Sequence, residues 1–316
     1  MGKTKIEWVN GDDGSLGATW NPIRGCQAVS PGCKNCFAAR MAARGLPGLN
    51  SPTTGEPFAV MRDSGPRWTG KVELIESALG LPLRWRKPRR VFVNSMSDLF
   101  HESLPDEAID RVFAVMALCP QHTFMVLTKR PERAVNYFRD ATDLRSRWFD
   151  VLHDVRVFPG DPRRAALGNP SRAGIAEGIY KGWRSLQLPN VWLGVSVEDR
   201  KNKERIELLR NTPAALRFLS LEPLLEDLGE LDLTGISWCI IGGESGPGAR
   251  RCDVDWIRKI VWQCQAASIP VFVKQLGAHV IENGERRIKR DKKGGDMDEW
   301  AHDIRVREWP EVPHAK

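Results

Sequence analysis

Three cysteines fall within eleven residues, in the stretch Trp20-Asn21-Pro22-Ile23-Arg24-Gly25-Cys26-Gln27-Ala28-Val29-Ser30-Pro31-Gly32-Cys33-Lys34-Asn35-Cys36. Three thiolates so close in sequence can converge on one metal centre. Four would close a tetrahedral zinc site, whereas three leave one position open for reaction. Gly25 and Gly32 tolerate φ > 0 and Pro31 fixes its own φ, so this segment can fold back on itself as a ligand loop. Two other assignments fit the same residues. One is a structural zinc whose fourth ligand is Cys252, His101 or His279. The other is a set of incidental thiols, buried or paired as disulfides.

The elements that must position such a loop are legible from short apolar runs. Val91-Phe92-Val93, Thr123-Phe124-Met125-Val126-Leu127, Val191-Trp192-Leu193-Gly194-Val195, Leu216-Arg217-Phe218-Leu219, Trp238-Cys239-Ile240-Ile241 and Val271-Phe272-Val273 read as buried strands, with a further strand near Ala18 to Trp20. Helical spacing separates them at Pro105–Ala117, Arg200–Arg210 and Val254–Ala267. Alternating strands and helices imply parallel pairing with right-handed crossovers. Six or seven βα units favour an α/β fold of complete or partial parallel (β/α) barrel type.

Nearly every run ends abruptly in polar residues. These are Asn94-Ser95-Met96-Ser97-Asp98, Thr128-Lys129-Arg130, Ser196 with Glu198, Ser220 with Glu222, Gly242-Gly243-Glu244 and Lys274-Gln275. In a parallel barrel these carboxyl ends meet at one rim, where such folds carry their sites. Ser95, Ser97, Asp98, Ser196 and Glu198 are therefore candidates for holding a cofactor. Glu222, Glu244 and Lys274 are candidates for catalysis, and Cys26, Cys33 and Cys36 for metal ligation. The loop Gly242–Gly248 lacks the Lys-Ser/Thr of a P-loop and the spacing of a dinucleotide fingerprint, so neither ATP nor NAD follows from it. His101 and His122 sit near strand ends without a Ser-His-Asp or Cys-His set around them.

A net charge of +7 over 316 residues suits a phosphate-bearing partner, a nucleic acid or nucleotide. Twelve tryptophans are divided between core and possible base stacking; Trp85, Trp192, Trp238 and Trp256 lie in or beside apolar runs and are expected in the core. The basic run Arg84–Arg90 leads into a strand and is expected on the rim away from the site. The run Arg286–Lys293 follows the last strand. Residues 1–280 are expected to form one barrel-like domain, with the cysteine loop at 20–37 and an insertion at about 141–190, and 281–316 a basic C-terminal extension. Residues 1–20 contain no apolar stretch, and the odd count of seven cysteines suits a reducing compartment. The expected location is the cytoplasm, with no membrane partner.

Taken together, Trp20-Asn21-Pro22, Cys26-Cys33-Cys36, Asn94–Phe100, Leu127–Pro131, Ser220–Leu224, Gly242–Gly248 and Val273-Lys274-Gln275 resemble the phage and bacterial three-Cys-motif family, over most of the chain. The cysteine loop of that family looks like that of the radical S-adenosylmethionine enzymes, although the spacing here is C-x6-C-x2-C rather than C-x3-C-x2-C. The resemblance implies a partial (β/α) barrel carrying a [4Fe-4S] cluster on Cys26, Cys33 and Cys36. It also implies S-adenosylmethionine on the fourth iron and a 5′-deoxyadenosyl radical as the reactive species. A reductant such as flavodoxin or ferredoxin would then be a partner, and a nucleic acid or nucleotide the substrate. The alternatives are a zinc-stabilised nucleic-acid-binding protein without catalysis, and a metal-dependent hydrolase using Glu198, Glu222 and Glu244.

Overall fold

The computed structural model describes residues 4–11, 14, 17–45, 48–153 and 186–311. Seven strands form the central sheet: β1 (Ala18–Trp20), β2 (Arg90–Val93), β3 (Thr123–Thr128), β4 (Val191–Ser196), β5 (Leu216–Leu221), β6 (Trp238–Gly242) and β7 (Val271–Gln275). They lie side by side in chain order, and each neighbouring pair is parallel. The sheet curls without closing, giving an open half-barrel. This is the coarse architecture expected from the sequence; nothing in it is specific to radical enzymes.

The strands are short continuous apolar runs because both faces of the sheet are covered. On the outer face pack α2 (Asp106–Ala117), α3 (Pro131–Phe138), α4 (Ala141–His153), α5 (Glu204–Arg210) and α6 (Val254–Ala266), while α1 (Phe37–Ala42) follows the cysteines. Ile109, Val112, Phe113 and Met116 of α2 and Ile257, Ile260, Val261 and Cys264 of α6 are buried in one core with Val93, Val126, Val195, Leu221, Ile241 and Val273 from the strands. Between α2, α3 and α4 a polar network centres on the buried Asp110. Tyr137 donates to Asp110 at 2.6 Å, Trp148 donates its indole N–H to Tyr137 at 2.8 Å, and Arg147 pairs with Asp110 at 3.0 Å. The helix α4 opens the expected insertion; most of the remainder of 141–190 lies outside the described residues.

The concave face is different. Alternate strand residues point there, and its N-terminal half is filled by Phe92, Met125, Trp192, Leu216, Phe218, Trp238, Ile240 and Phe272. Trp8 from the N-terminal segment and Trp309 from the C-terminal segment complete this layer. Trp238 ties the C-terminal segment to the sheet by donating to the Glu308 carbonyl at 2.9 Å, and Trp309 ties the two segments together by donating to the Trp8 carbonyl at 3.2 Å. Gly194 makes the layer possible, since a Cβ there would stand 2.5 Å from the Phe218 ring. The expected core tryptophans Trp192, Trp238 and Trp85 are buried, and Trp256 is partly so.

Candidate functional site

Parallel strands bring every carboxyl end to one edge of the half-barrel, and the cysteine loop follows β1 at that edge. Three clamps hold the loop there, each built on a charged residue placed at or just beyond a strand end.

The first clamp is Arg130, after β3. It donates to the Gln27 carbonyl at 2.9 Å and approaches Cys26 Sγ at 3.8 Å, while pairing with Glu102 at 2.7 Å and Asp98 at 3.4 Å. Asp98 also accepts from Thr128 Oγ1 at 2.6 Å and from the Lys129 backbone at 3.0 Å. The second clamp is Glu198, after β4 and fully buried. It accepts from Arg205 of α5 at 3.0 Å, from the Gly32 backbone at 3.3 Å and from the Ser30 hydroxyl. A Cβ on Gly32 would stand 2.6 Å from the Glu198 carboxylate, so any larger residue here would force the carboxylate or the loop to shift. The third clamp is Glu244, after β6, which accepts from Asn35 at 2.9 Å and from Arg250 at 2.6 Å. Arg250 also donates to the Pro31 carbonyl at 2.8 Å.

The remaining rim residues divide between the loop's entry and the open side. Ser95 donates to the Asn21 side chain at 3.1 Å and Ser97 to the Ile23 carbonyl at 2.9 Å, so both brace the segment leading into the cysteines. On the open side, Val195, Leu219 and Leu221 point to the helix core. Ser196 and Ser220 therefore face the concave side, side by side in register. Their hydroxyls bond no other described residue. One layer nearer the rim, Lys274 pairs with Glu222 at 2.6 Å, the two side chains 21% and 20% exposed. Gln275 lies 3.5 Å from the same Glu222 oxygen. Gly242 leaves room for this carboxylate, whose carbon would be 3.3 Å from a Cβ at that position.

The thiols do not form a metal centre. Among the described residues, no three His, Cys, Asp or Glu side chains are grouped so as to hold a metal ion. The three thiols are near enough for Cys33 and Cys36 to act on the charge of Cys26, but their bonding partners differ. Cys26 lies beside Arg130 and Gln27, Cys33 has Ser30 3.8 Å from its sulfur, and Cys36 stands at the N-cap position of α1 with no capping bond from its thiol. Burial pushes the Cys26 thiol up to about 12, with Asp98, Cys33 and Cys36 adding to the effect and Arg130 opposing it. It is the lack of a metal-holding group among the described residues that overturns the expected [4Fe-4S] cluster on Cys26, Cys33 and Cys36. With it go bound S-adenosylmethionine, the radical enzyme activity and the resemblance to a radical-type three-Cys family. A zinc centre finds no fourth ligand either: Cys252 is buried in the helix-side core, and neither it, His101 nor His279 completes a metal-holding group. Nor do Glu198, Glu222 and Glu244 make a hydrolase metal site, because each carboxylate is paired with its own cation.

His101 is buried, with Nδ1 accepting from the Ser103 backbone at 3.1 Å, and burial lowers its pKa, Arg130 adding to the effect. Sequence reasoning missed Arg205, Asn35 and Gly32 as parts of the rim, and gave Ser220 no role. Ser220 was recoverable, standing two residues before Glu222 and so on the same face. No helix among the described residues is long and apolar enough to cross a membrane. No curated protein and no solved structure matches the chain. A family model described as "Protein of unknown function (DUF5131)" matches residues 3–305, and the chain belongs to that family.

Proposed function

We propose that the chain is a cytoplasmic nucleic-acid-binding protein without catalysis, which takes one nucleotide unit at the open side of the half-barrel mouth. One observation carries this reading. The Lys274–Glu222 pair is partly exposed on the concave rim and holds no part of the cysteine loop, unlike Asp98, Glu198 and Glu244. Beneath it lie the two unbonded hydroxyls of Ser196 and Ser220. Lys129, at the same rim, has no ion pair among the described residues.

That donor and acceptor set matches a nucleotide. Lys274 and Lys129 suit a phosphate, the serine hydroxyls suit phosphate or base edges, and Glu222 accepts from a ribose hydroxyl or an exocyclic amine. The aromatic layer below stops the unit from passing deeper. A net charge of +7 supplies the long-range attraction that brings a polyanion to the surface.

The test is fluorescence anisotropy of labelled RNA and DNA oligonucleotides, single-stranded and duplex, at several salt concentrations. Wild type is expected to bind more tightly than it binds heparin. Lys274→Met and Glu222→Gln are each expected to weaken binding by about tenfold or more, as for the loss of a charged hydrogen bond. Oligonucleotide and heparin binding of equal strength, or two variants that bind like wild type, would sink the proposal.

A further inference from the structure

Cys33-Lys34-Asn35-Cys36 is a tight turn, closed by the Cys36 backbone N–H donating to the Cys33 carbonyl at 3.3 Å. Such a turn keeps its first and last Cα atoms within about 7 Å. A disulfide needs Cα separations of roughly 4.4–6.8 Å. Both thiols are free and partly exposed. The turn between them is set by the fold rather than left to fluctuate. The Asn35 amide donates to Glu244 at 2.9 Å and to the Gly248 carbonyl at 3.0 Å, and Gly32 just before it is seated on Glu198. Lys34, between the two thiols, is exposed and has no ion pair among the described residues.

We propose that Cys33 and Cys36 form a thiol–disulfide exchange site whose oxidant is an anionic low-molecular-weight disulfide of the glutathione disulfide type. The thiolate of one cysteine attacks a sulfur of the disulfide, forming a mixed disulfide and releasing one small thiolate, which takes up a proton. The second cysteine, as thiolate, then attacks the cysteine sulfur of the mixed disulfide and displaces the other small thiolate. The Cys33–Cys36 bond has formed, the protein has lost two hydrogens, and two electrons have reduced the reagent to two thiols. Lys34 favours the approach of the anionic reagent. Cys26 stays outside the exchange, since it precedes the turn and is turned toward Arg130 and Gln27. This site is independent of nucleic-acid binding.

The experiment incubates the native full chain in glutathione/glutathione disulfide mixtures, followed by acid quenching, alkylation of free thiols, digestion and mass spectrometry. The peptide joining residues 33 and 36 is expected two hydrogens lighter, in wild type and equally in Cys26→Ser. In Cys33→Ser and Cys36→Ser the remaining thiol is expected to accumulate glutathione. The proportion of disulfide is expected to be at least about tenfold higher, relative to dithiol, in native protein than in urea, because the fold pre-positions the pair. A disulfide that includes Cys26 as often as not, or one that forms no more readily in native than in unfolded chain, would overturn the assignment. The mapping in wild type decides the matter even if a serine variant fails to fold.

Discussion

Asp98, Glu198 and Glu244 stand at the same rim as Glu222, and all four follow apolar strands, yet they do different work. The first three serve the clamps that hold residues 26–36: through Arg130, by direct bonds to Ser30 and Gly32, and through Asn35 with Arg250. Among the described residues, Glu222 holds only Lys274 and, at longer range, Gln275. A polar strand end in a parallel sheet is thus no single kind of evidence. It can be an anchor for the chain's own loop or a surface left for something else, and only the partner tells which.

The largest effect expected from breaking this contrast is at Glu198. Removing its carboxylate with Glu198→Ala leaves Arg205 buried and unpaired and frees the loop's seat. A loss of about 3–5 kcal/mol in urea unfolding is expected, as for other broken buried pairs. A loss below about 1 kcal/mol would mean that the clamp holds nothing. Gly32→Ala attacks the same seat from the loop side. Its Cβ would meet the carboxylate at 2.6 Å, and the cost of such overpacking is about 1–3 kcal/mol. If Gly32→Ala and Glu198→Ala act through one contact, the double variant loses less than the sum of the two.

On the open side the expectation reverses. Glu222→Gln and Lys274→Met remove a partly exposed pair, so stability changes by less than about 1 kcal/mol, the range of surface ion pairs. Unfolding curves that shift as far as those of Glu198→Ala would erase the difference between the two halves of the rim.

The sheet was readable because its strands are covered on both faces and so read as unbroken apolar runs. Val191–Ser196 is buried at every position, and Val271–Gln275 at all but one. The helices at 106–117 and 254–266 were readable from their spacing. The clamps were not. Glu198 meets Ser30 across 168 residues of chain, and Glu244 meets Asn35 across 209. No local pattern records a partner that far away. Arg205 looks like any charged residue of an amphipathic helix, and Gly32 like any loop glycine. The three cysteines show the same limit from the other side. Their spacing allowed convergence, but the loop's anchors decide where each thiol goes, and they give Cys26 to Arg130 rather than to a shared centre. Trp8 and Trp309 lie at opposite ends of the chain, and nothing local says that they pack into one concave layer.

The smallest expected effect is a pH dependence that separates an anchoring carboxylate from a neutral side chain of the same shape. Burial pushes Glu244 up, but hydrogen bonds from Arg250 and Asn35 outweigh it and hold the carboxyl below its ordinary 4.5. A folded-state pKa below the unfolded one stabilises the fold above about 4.5, the unfolded value, and that contribution fades as pH falls through the lower folded one. Glu244→Gln keeps the size of the side chain and has no proton to take up. The urea midpoint of wild type should therefore exceed that of the variant at pH 7, and the gap should narrow steadily from about pH 5 downward. A gap at Glu244 that stays constant down to acid pH would mean that Asn35 and Arg250 hold the loop without needing the charge.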